Sequence, residues 1–166
     1  MRLLIRLLVG FLICLVGAVP LPAQSVPVLR FDQLKQRIDQ PNDTLYVINF
    51  WATWCAPCVQ ELPQFETARK THATQPIQVL LVSMDHPSTL KTKVIPFVRA
   101  RKLQTPVVLL GETDLTTWVD KLVPEWSGAL PMTLLLNKRR NVRQFIGKAL
   151  KEGELESIIN INYNRL

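Results

Sequence analysis

The chain has 166 residues, 48% hydrophobic and 20% charged, enough to bury one substantial core and too few for two domains of ordinary size. Its formal net charge of +7 falls to about +5 without the two arginines of an N-terminal leader. The densest basic clusters, Arg99-Ala100-Arg101-Lys102 and Lys138-Arg139-Arg140, have no interleaved aromatics, which argues against a nucleic-acid surface. They read as a solvated helix face and a solvated turn, with an acidic partner or an anionic membrane as the functional alternative.

In chain order, Arg2 and Arg6 precede the uncharged run Leu7 to Val19, which has the length of a signal-peptide core and is short for a membrane span. Pro20, Pro22 and Ala23 predict cleavage after Ala23. Leu21 is large for the small-x-small rule, so retention of residues 1–23 as a membrane anchor is the alternative. Cys14 lies inside this run and reads as a small hydrophobe lost with the signal. A single domain from 24 to 166 then follows, with Cys55 and Cys58 as its only cysteines.

Ser25 to Leu29 reads as a short extended segment. Phe31, Leu34 and Ile38 stand at helical spacing, and Pro41-Asn42-Asp43 turns the chain. Leu45 to Trp51 is uncharged and rich in β-branched and aromatic residues, the pattern of a strand buried on both faces. Thr53 and Trp54 form a turn, and Pro57 suits the first turn of a helix because its missing N–H would be unpaired there. Cys55 is thereby placed at a helix N-terminus. Free N–H groups and the helix dipole stabilise a thiolate there, so a partly exposed nucleophile is expected. Cys58, three residues on, lies on the same face, within reach of a short disulfide. Zinc would need two further ligands, for which only His72 and His86 are on offer. A structural staple is disfavoured because a two-residue loop constrains the unfolded chain little.

Trp54-Cys55-Ala56-Pro57-Cys58, preceded by Asn49-Phe50-Trp51-Ala52-Thr53 and followed by Glu61-Leu62-Pro63, resembles the thioredoxin-like proteins, specifically exported thiol reductases of the TlpA/ResA type. The resemblance implies an α/β thioredoxin-like fold, a mixed central sheet with helices on both faces, and no cofactor or metal. It also gives meaning to two departures from simple patterning. Pro63 is tolerated inside the helix at the matching position. Asn49 stands where cytosolic thioredoxins carry a buried, titrating aspartate, which separates this chain from them. Glu61, three after Cys58, matches a glutamate that in such reductases tunes the thiols and relays protons; the bland alternative is a solvated residue favoured by the helix dipole.

Downstream, Ile77 to Met84 reads as a second buried strand. Ser88 or Thr89 is expected to cap a helix carrying Val94, Ile95, Phe97 and Val98. Val107 to Leu110 is a short strand, and Asp114 is placed to cap a helix holding Leu115, Trp118, Val119 and Leu122. Trp126 to Met132 leads into the strand Thr133 to Leu136. By the resemblance, Pro131 is cis and faces the cysteines, and the Leu130 backbone pairs with an extended substrate. Asn137 to Asn141 turns a hairpin into Val142 to Ile146, and Leu155, Ile158 and Ile159 stripe a last helix. The expected order is β-α-β-α-β-α-β-β-α with the last two strands antiparallel.

The implied chemistry is thiol-disulfide exchange. Cys55 attacks, Cys58 resolves, Glu61 assists Cys58, and Trp54 with Leu130 and Pro131 forms the apolar lip for the target chain. Ala-Pro between the cysteines favours a reductant. Expected partners are exported proteins bearing disulfides, apocytochrome c among them, and a membrane thiol donor, in a periplasmic or other extracytoplasmic location. An oxidase or isomerase, and a non-catalytic peptide-binding module with an inert bridge, are the alternatives. A peroxidase of related fold fits less well, because a lone cysteine with a paired arginine is missing.

Overall fold

The computed structural model describes residues 25–164; the expected leader over 1–23 lies outside them. Alternation along the buried strands organises the molecule. In β2 (Leu45–Trp51) every residue is buried, yet Leu45, Val47 and Trp51 join one core cluster while Tyr46, Ile48 and Phe50 join the other. Successive side chains of a strand point to opposite faces, so a strand buried throughout requires cover on both sides.

That cover comes from helices. On the first face lie α2 (Ala56–Thr71), through Leu62, Phe65 and Ala68, and α5 (Glu154–Asn164), through Leu155 and Ile159. Val94 and Val98 add to it from the segment before and within α3 (Ile95–Ala100). On the second lie α1 (Phe31–Ile38), with Phe31, Leu34 and Ile38, and the short α4 (Val119–Leu122). The strands β1 (Val28–Leu29), β3 (Ile77–Ser83), β4 (Val107–Leu110), β5 (Met132–Asn137) and β6 (Val142–Ile146) complete one sheet with β2, in the order β1-β4-β3-β2-β5-β6. Pairing is parallel from β1 to β2 and antiparallel between β2, β5 and β6. The thioredoxin-like architecture expected from the motif is therefore present.

Two details differ from the sequence expectation. The order is longer by one strand–helix step than the expected sum: Val28–Leu29 pairs with Leu109 and Leu110 as an edge strand, and Asp114 caps a 3-10 turn at Leu115–Thr117 from which α4 follows. After β3, Ser88 caps nothing, and Thr89 stands at the N-cap of the helical stretch Leu90–Val94 without a side-chain cap hydrogen bond. The segment opens on a 3-10 turn, Pro87–Thr89, whose cap is His86, with the His86 ring accepting from Ser88 N–H; a π-helical stretch, Leu90–Val94, then runs into α3. Pro87 at the start of the 3-10 turn and Pro96 at the start of α3 leave fewer N–H groups that need a side-chain cap. The helix expected from Pro57 to about Thr71 with Pro63 inside it is α2, which runs for 16 residues through that proline.

Candidate active site

Cys55 is the N-cap of α2, in extended conformation, and its N–H donates to the Ala52 carbonyl at 3.1 Å. Ala56 and Pro57 fill the first turn, where the N–H that proline lacks would have had no intrahelical acceptor. Cys55 and Cys58 are joined as a disulfide with Cα atoms 5.3 Å apart, the reach that a three-residue helical spacing predicts. Cys58 is fully buried and Cys55 is 6% exposed, less than expected; the exposed group of the motif is Trp54, at 68%. The turn accounts for this. It directs Trp54 outward and tucks Cys55 against Ala52, where both cysteines pack into the α2-side core.

The turn itself is held by a residue that pattern alone did not single out. Asp85, buried just beyond β3, accepts the Thr53 N–H at 2.9 Å, the Thr53 hydroxyl at 2.6 Å and the Ser83 hydroxyl at 2.8 Å. A buried carboxylate is tolerable when hydrogen bonds replace its lost hydration. The available signal was the Ser-x-Asp at the end of a buried strand. Its meaning emerges only from the parallel register that sets Ser83 beside Trp51.

Glu61, one turn beyond Cys58, is 2% exposed, so the solvated reading is set aside. One carboxylate oxygen accepts the Leu150 N–H at 2.8 Å and the other the Asn49 side-chain amide at 2.8 Å. Burial pushes the Glu61 carboxyl above its ordinary value; these two hydrogen bonds oppose the shift without cancelling it, and Glu154 adds to it. Asn49 follows from the alternation of β2: it lies between Val47 and Trp51, on the face that α2 covers. Its amide nitrogen also reaches Thr133 Oγ1 at 3.1 Å and the Met132 carbonyl at 3.4 Å, while its Oδ1 is buried with no hydrogen-bond partner. Glu61 borders a groove of about 700 Å³ between α2 and the chain entering α5, lined also by Pro57, Gln64, Leu150 and Glu152. The Leu150 contact had no sequence signal, because it is made by a backbone N–H.

The Leu130–Pro131 peptide is cis. Because β5 begins with Met132 opposite Phe50, Leu130 and Pro131 arrive at the end of β2 from which the cysteine turn departs. Leu130 is half-buried and Pro131 buried. The loop before them is fixed at two points. The Trp126 indole N–H donates to the Ala129 carbonyl at 2.8 Å, and the Trp126 ring packs among Phe50 and Trp118 at 5.0 and 5.6 Å. Gly128 has φ +85°, and a Cβ there would stand 2.8 Å from Leu115 Cδ1, so only glycine suits the position.

The two histidines serve other ends. His72, buried at the end of α2, bonds Gln75 and the Glu156 carboxylate of α5, and His86 bonds Ser88. Among the described residues no three His, Cys, Asp or Glu side chains converge as a metal site.

Comparison with known proteins agrees with this geometry. The AhpC/TSA family matches residues 21–145. The chain is 26% identical over 98 residues to sporulation thiol-disulfide oxidoreductase A of Bacillus subtilis (strain 168), covering 59% of this chain and 56% of that protein. It is 31% identical over 116 residues to thiol-disulfide oxidoreductase ResA of Geobacillus thermodenitrificans (strain NG80-2), covering 67% and 61%. The chain thus spans less than two thirds of the length of these curated relatives. Among solved structures, StoA from Bacillus subtilis superposes with a TM-score of 0.52 at 24% identity, over 70% of this chain and 82% of that one. A thiol:disulfide interchange protein of the thioredoxin family from Chlorobium tepidum TLS gives 0.62 at 19%, over 89% and 99%. Both show the shared fold. With its cysteine pair at the start of α2 and its mixed sheet, this chain belongs to the AhpC/TSA family of thioredoxin-like proteins.

Proposed function

We propose that the protein is a thiol-disulfide oxidoreductase that works as a reductant on exported proteins bearing disulfides. The observation that carries this reading is the Cys55–Cys58 bridge at the N-terminus of α2, in a chain whose curated relatives are named thiol-disulfide oxidoreductases. The reduced protein starts the cycle. The Cys55 thiolate, favoured by the helix N-terminus, attacks one sulfur of a target disulfide, and the other target sulfur leaves as a thiolate that takes up a proton. Cys58 loses its proton, with Glu61 as acceptor or relay, and attacks Cys55 Sγ. The second target thiolate leaves, and two electrons have passed to the target as the Cys55–Cys58 disulfide forms. The bridged state described above is then the product, which a membrane thiol donor re-reduces.

Trp54, Leu130 and Pro131 are the groups against which the extended target chain lies, the Leu130 backbone pairing with it. The basic and apolar pattern of residues 1–23 supports a location outside the cytoplasm, by export or by retention as an anchor; among the described residues no helix is long and apolar enough to cross a membrane. Cysteines of apocytochrome c are the client chemistry that the resemblance suggests.

The test is the reduction potential of the Cys55–Cys58 pair by equilibration with glutathione or dithiothreitol. A value at or below about −220 mV is expected for a reductant, whereas one near about −120 mV reverses the direction of flow. Cys55→Ser is expected to abolish turnover of a peptide disulfide; retained turnover, or full function in a Cys55→Ser/Cys58→Ser protein, overturns the reading in favour of a binding module.

A further inference from the structure

The exchange reading leaves one region without a role. The segment from His86 to Gly111, which carries the chain from β3 to β4, holds five of the 20 basic residues and none of the 13 acidic ones. Lys91, Lys93, Arg99, Arg101 and Lys102 are all exposed, and among the described residues none forms an ion pair. The other basic cluster differs. Lys138 reaches Asp39 at 3.1 Å, and Arg139 and Arg140 reach Asp43 at 3.1 and 2.9 Å. There the fold supplies its own counter-charges, as a solvated turn would need, while on the β3–β4 segment five like charges stand uncompensated.

Position gives the imbalance its meaning. The segment begins at the residue after Asp85, whose carboxylate holds Thr53 of the cysteine turn. Phe97 packs on Trp51 at 5.2 Å, and the Arg101 guanidinium lies over the Phe97 ring at 5.5 Å. The segment thus leaves from the residue that holds Thr53 of the cysteine turn, and through Arg101 and Phe97 it packs on Trp51 at the end of β2. The large apolar side chains exposed among the described residues are Val28, Trp54 and Ile161, so the segment offers no wedge for a membrane interface, which amphipathic membrane-binding segments need.

We propose that this segment is the docking surface for an acidic stretch of the disulfide-bearing protein that reacts at Cys55. The proposal rests on the exchange reading and adds the charge class of the substrate. Complementary charge on a segment joined to the cysteine turn raises the encounter rate and fixes the approach, an effect that salt screens.

The test uses the full-length protein and two peptides identical except for a flanking tract of four glutamates or four lysines. Disulfide-free versions are titrated into the oxidised protein by fluorescence anisotropy, and bridged versions are mixed with the reduced protein by stopped flow. At about 20 mM salt the glutamate peptide is expected to bind and react roughly tenfold better, with the gap closing by about 500 mM. Lys91→Glu/Lys93→Glu is expected to invert the preference, and the milder Lys91→Gln/Lys93→Gln to reduce it. Equal binding of the two peptides at low salt, or a preference unmoved in both variants, overturns the proposal; so does binding to anionic phospholipid vesicles without a preference for the glutamate peptide. Failure of the wild type to reduce hydroxyethyl disulfide would instead overturn the exchange reading, and the anisotropy arm would still decide the surface.

Discussion

Two buried carboxylates flank the cysteine pair, and their surroundings differ. Asp85 takes three donors, two of them from Thr53 in the turn before Cys55. Glu61 takes two, from Leu150 N–H and the Asn49 amide, beside an Asn49 Oδ1 that has no partner. No arginine or lysine pairs with either among the described residues. A buried acid serves as a brace when its lone pairs are taken up by one turn and the strand end beside it, as at Asp85. At Glu61, with fewer donors, burial dominates and raises the carboxyl above its ordinary value.

The largest effect should follow from removing the brace. Asp85→Ala leaves the Thr53 N–H and two hydroxyls without their acceptor, and a loss of roughly 3 kcal/mol is expected from the cost of orphaned buried donors. Thermal unfolding would read this as a fall of about 10 °C. Asp85→Asn, which keeps an acceptor for Thr53, should recover much of it; equal losses for the two variants would break the contrast.

Glu61 should yield a smaller effect that depends on pH. Its folded pKa lies above the ordinary 4.5, so the folded state binds the proton more tightly than the unfolded chain. The stability this contributes is complete below about pH 4.5 and is lost as pH rises through the folded pKa. Denaturation of wild type and Glu61→Gln from pH 4 upward should therefore diverge, with the wild type declining more steeply. Parallel curves would mean that Glu61 is ionised in the fold and merely braces Leu150.

The smallest effect tests whether charge is what makes a brace strong. The Trp126 indole holds the Ala129 carbonyl with a neutral hydrogen bond, so Trp126→Phe should cost only about 1 kcal/mol. Because that bond steadies the loop before Leu130, KM for a peptide disulfide should rise several-fold with kcat little changed. A loss as large as that of Asp85→Ala would remove the distinction drawn here.

The parts of the site readable from sequence were those encoded by neighbours. Cys55, Pro57 and Cys58 lie within one helical turn, and β2 announces itself by an unbroken apolar run. The cis Leu130–Pro131 peptide could be anticipated because a proline directly precedes a buried strand and the motif resembles a known family. What escaped were partners joined by register. Asp85 meets Thr53 only because β3 runs parallel to β2, and Glu61 meets Asn49 only because strand alternation turns Asn49 toward α2. Spacing along a chain carries no record of which strand lies beside which. The same limit hid the contrast between the basic clusters: Lys138-Arg139-Arg140 and Arg99-Ala100-Arg101-Lys102 look alike until Asp39 and Asp43 fold beneath the first.

The central place of β2 has a consequence for how the protein comes into being. Its parallel neighbour β3 follows within one helix, but its antiparallel neighbour β5 comes from far along the chain, and the Asn49–Thr133 contact joins residues 84 positions apart. Closing so long a loop is slow relative to local helix and strand formation. During synthesis both thiols are therefore made well before the strand that brings Leu130 and Pro131 beside them. On the proposed exchange mechanism, a half-made chain carries both thiols without the Leu130–Pro131 surface against which a target would lie, and that surface is completed only when the sheet closes.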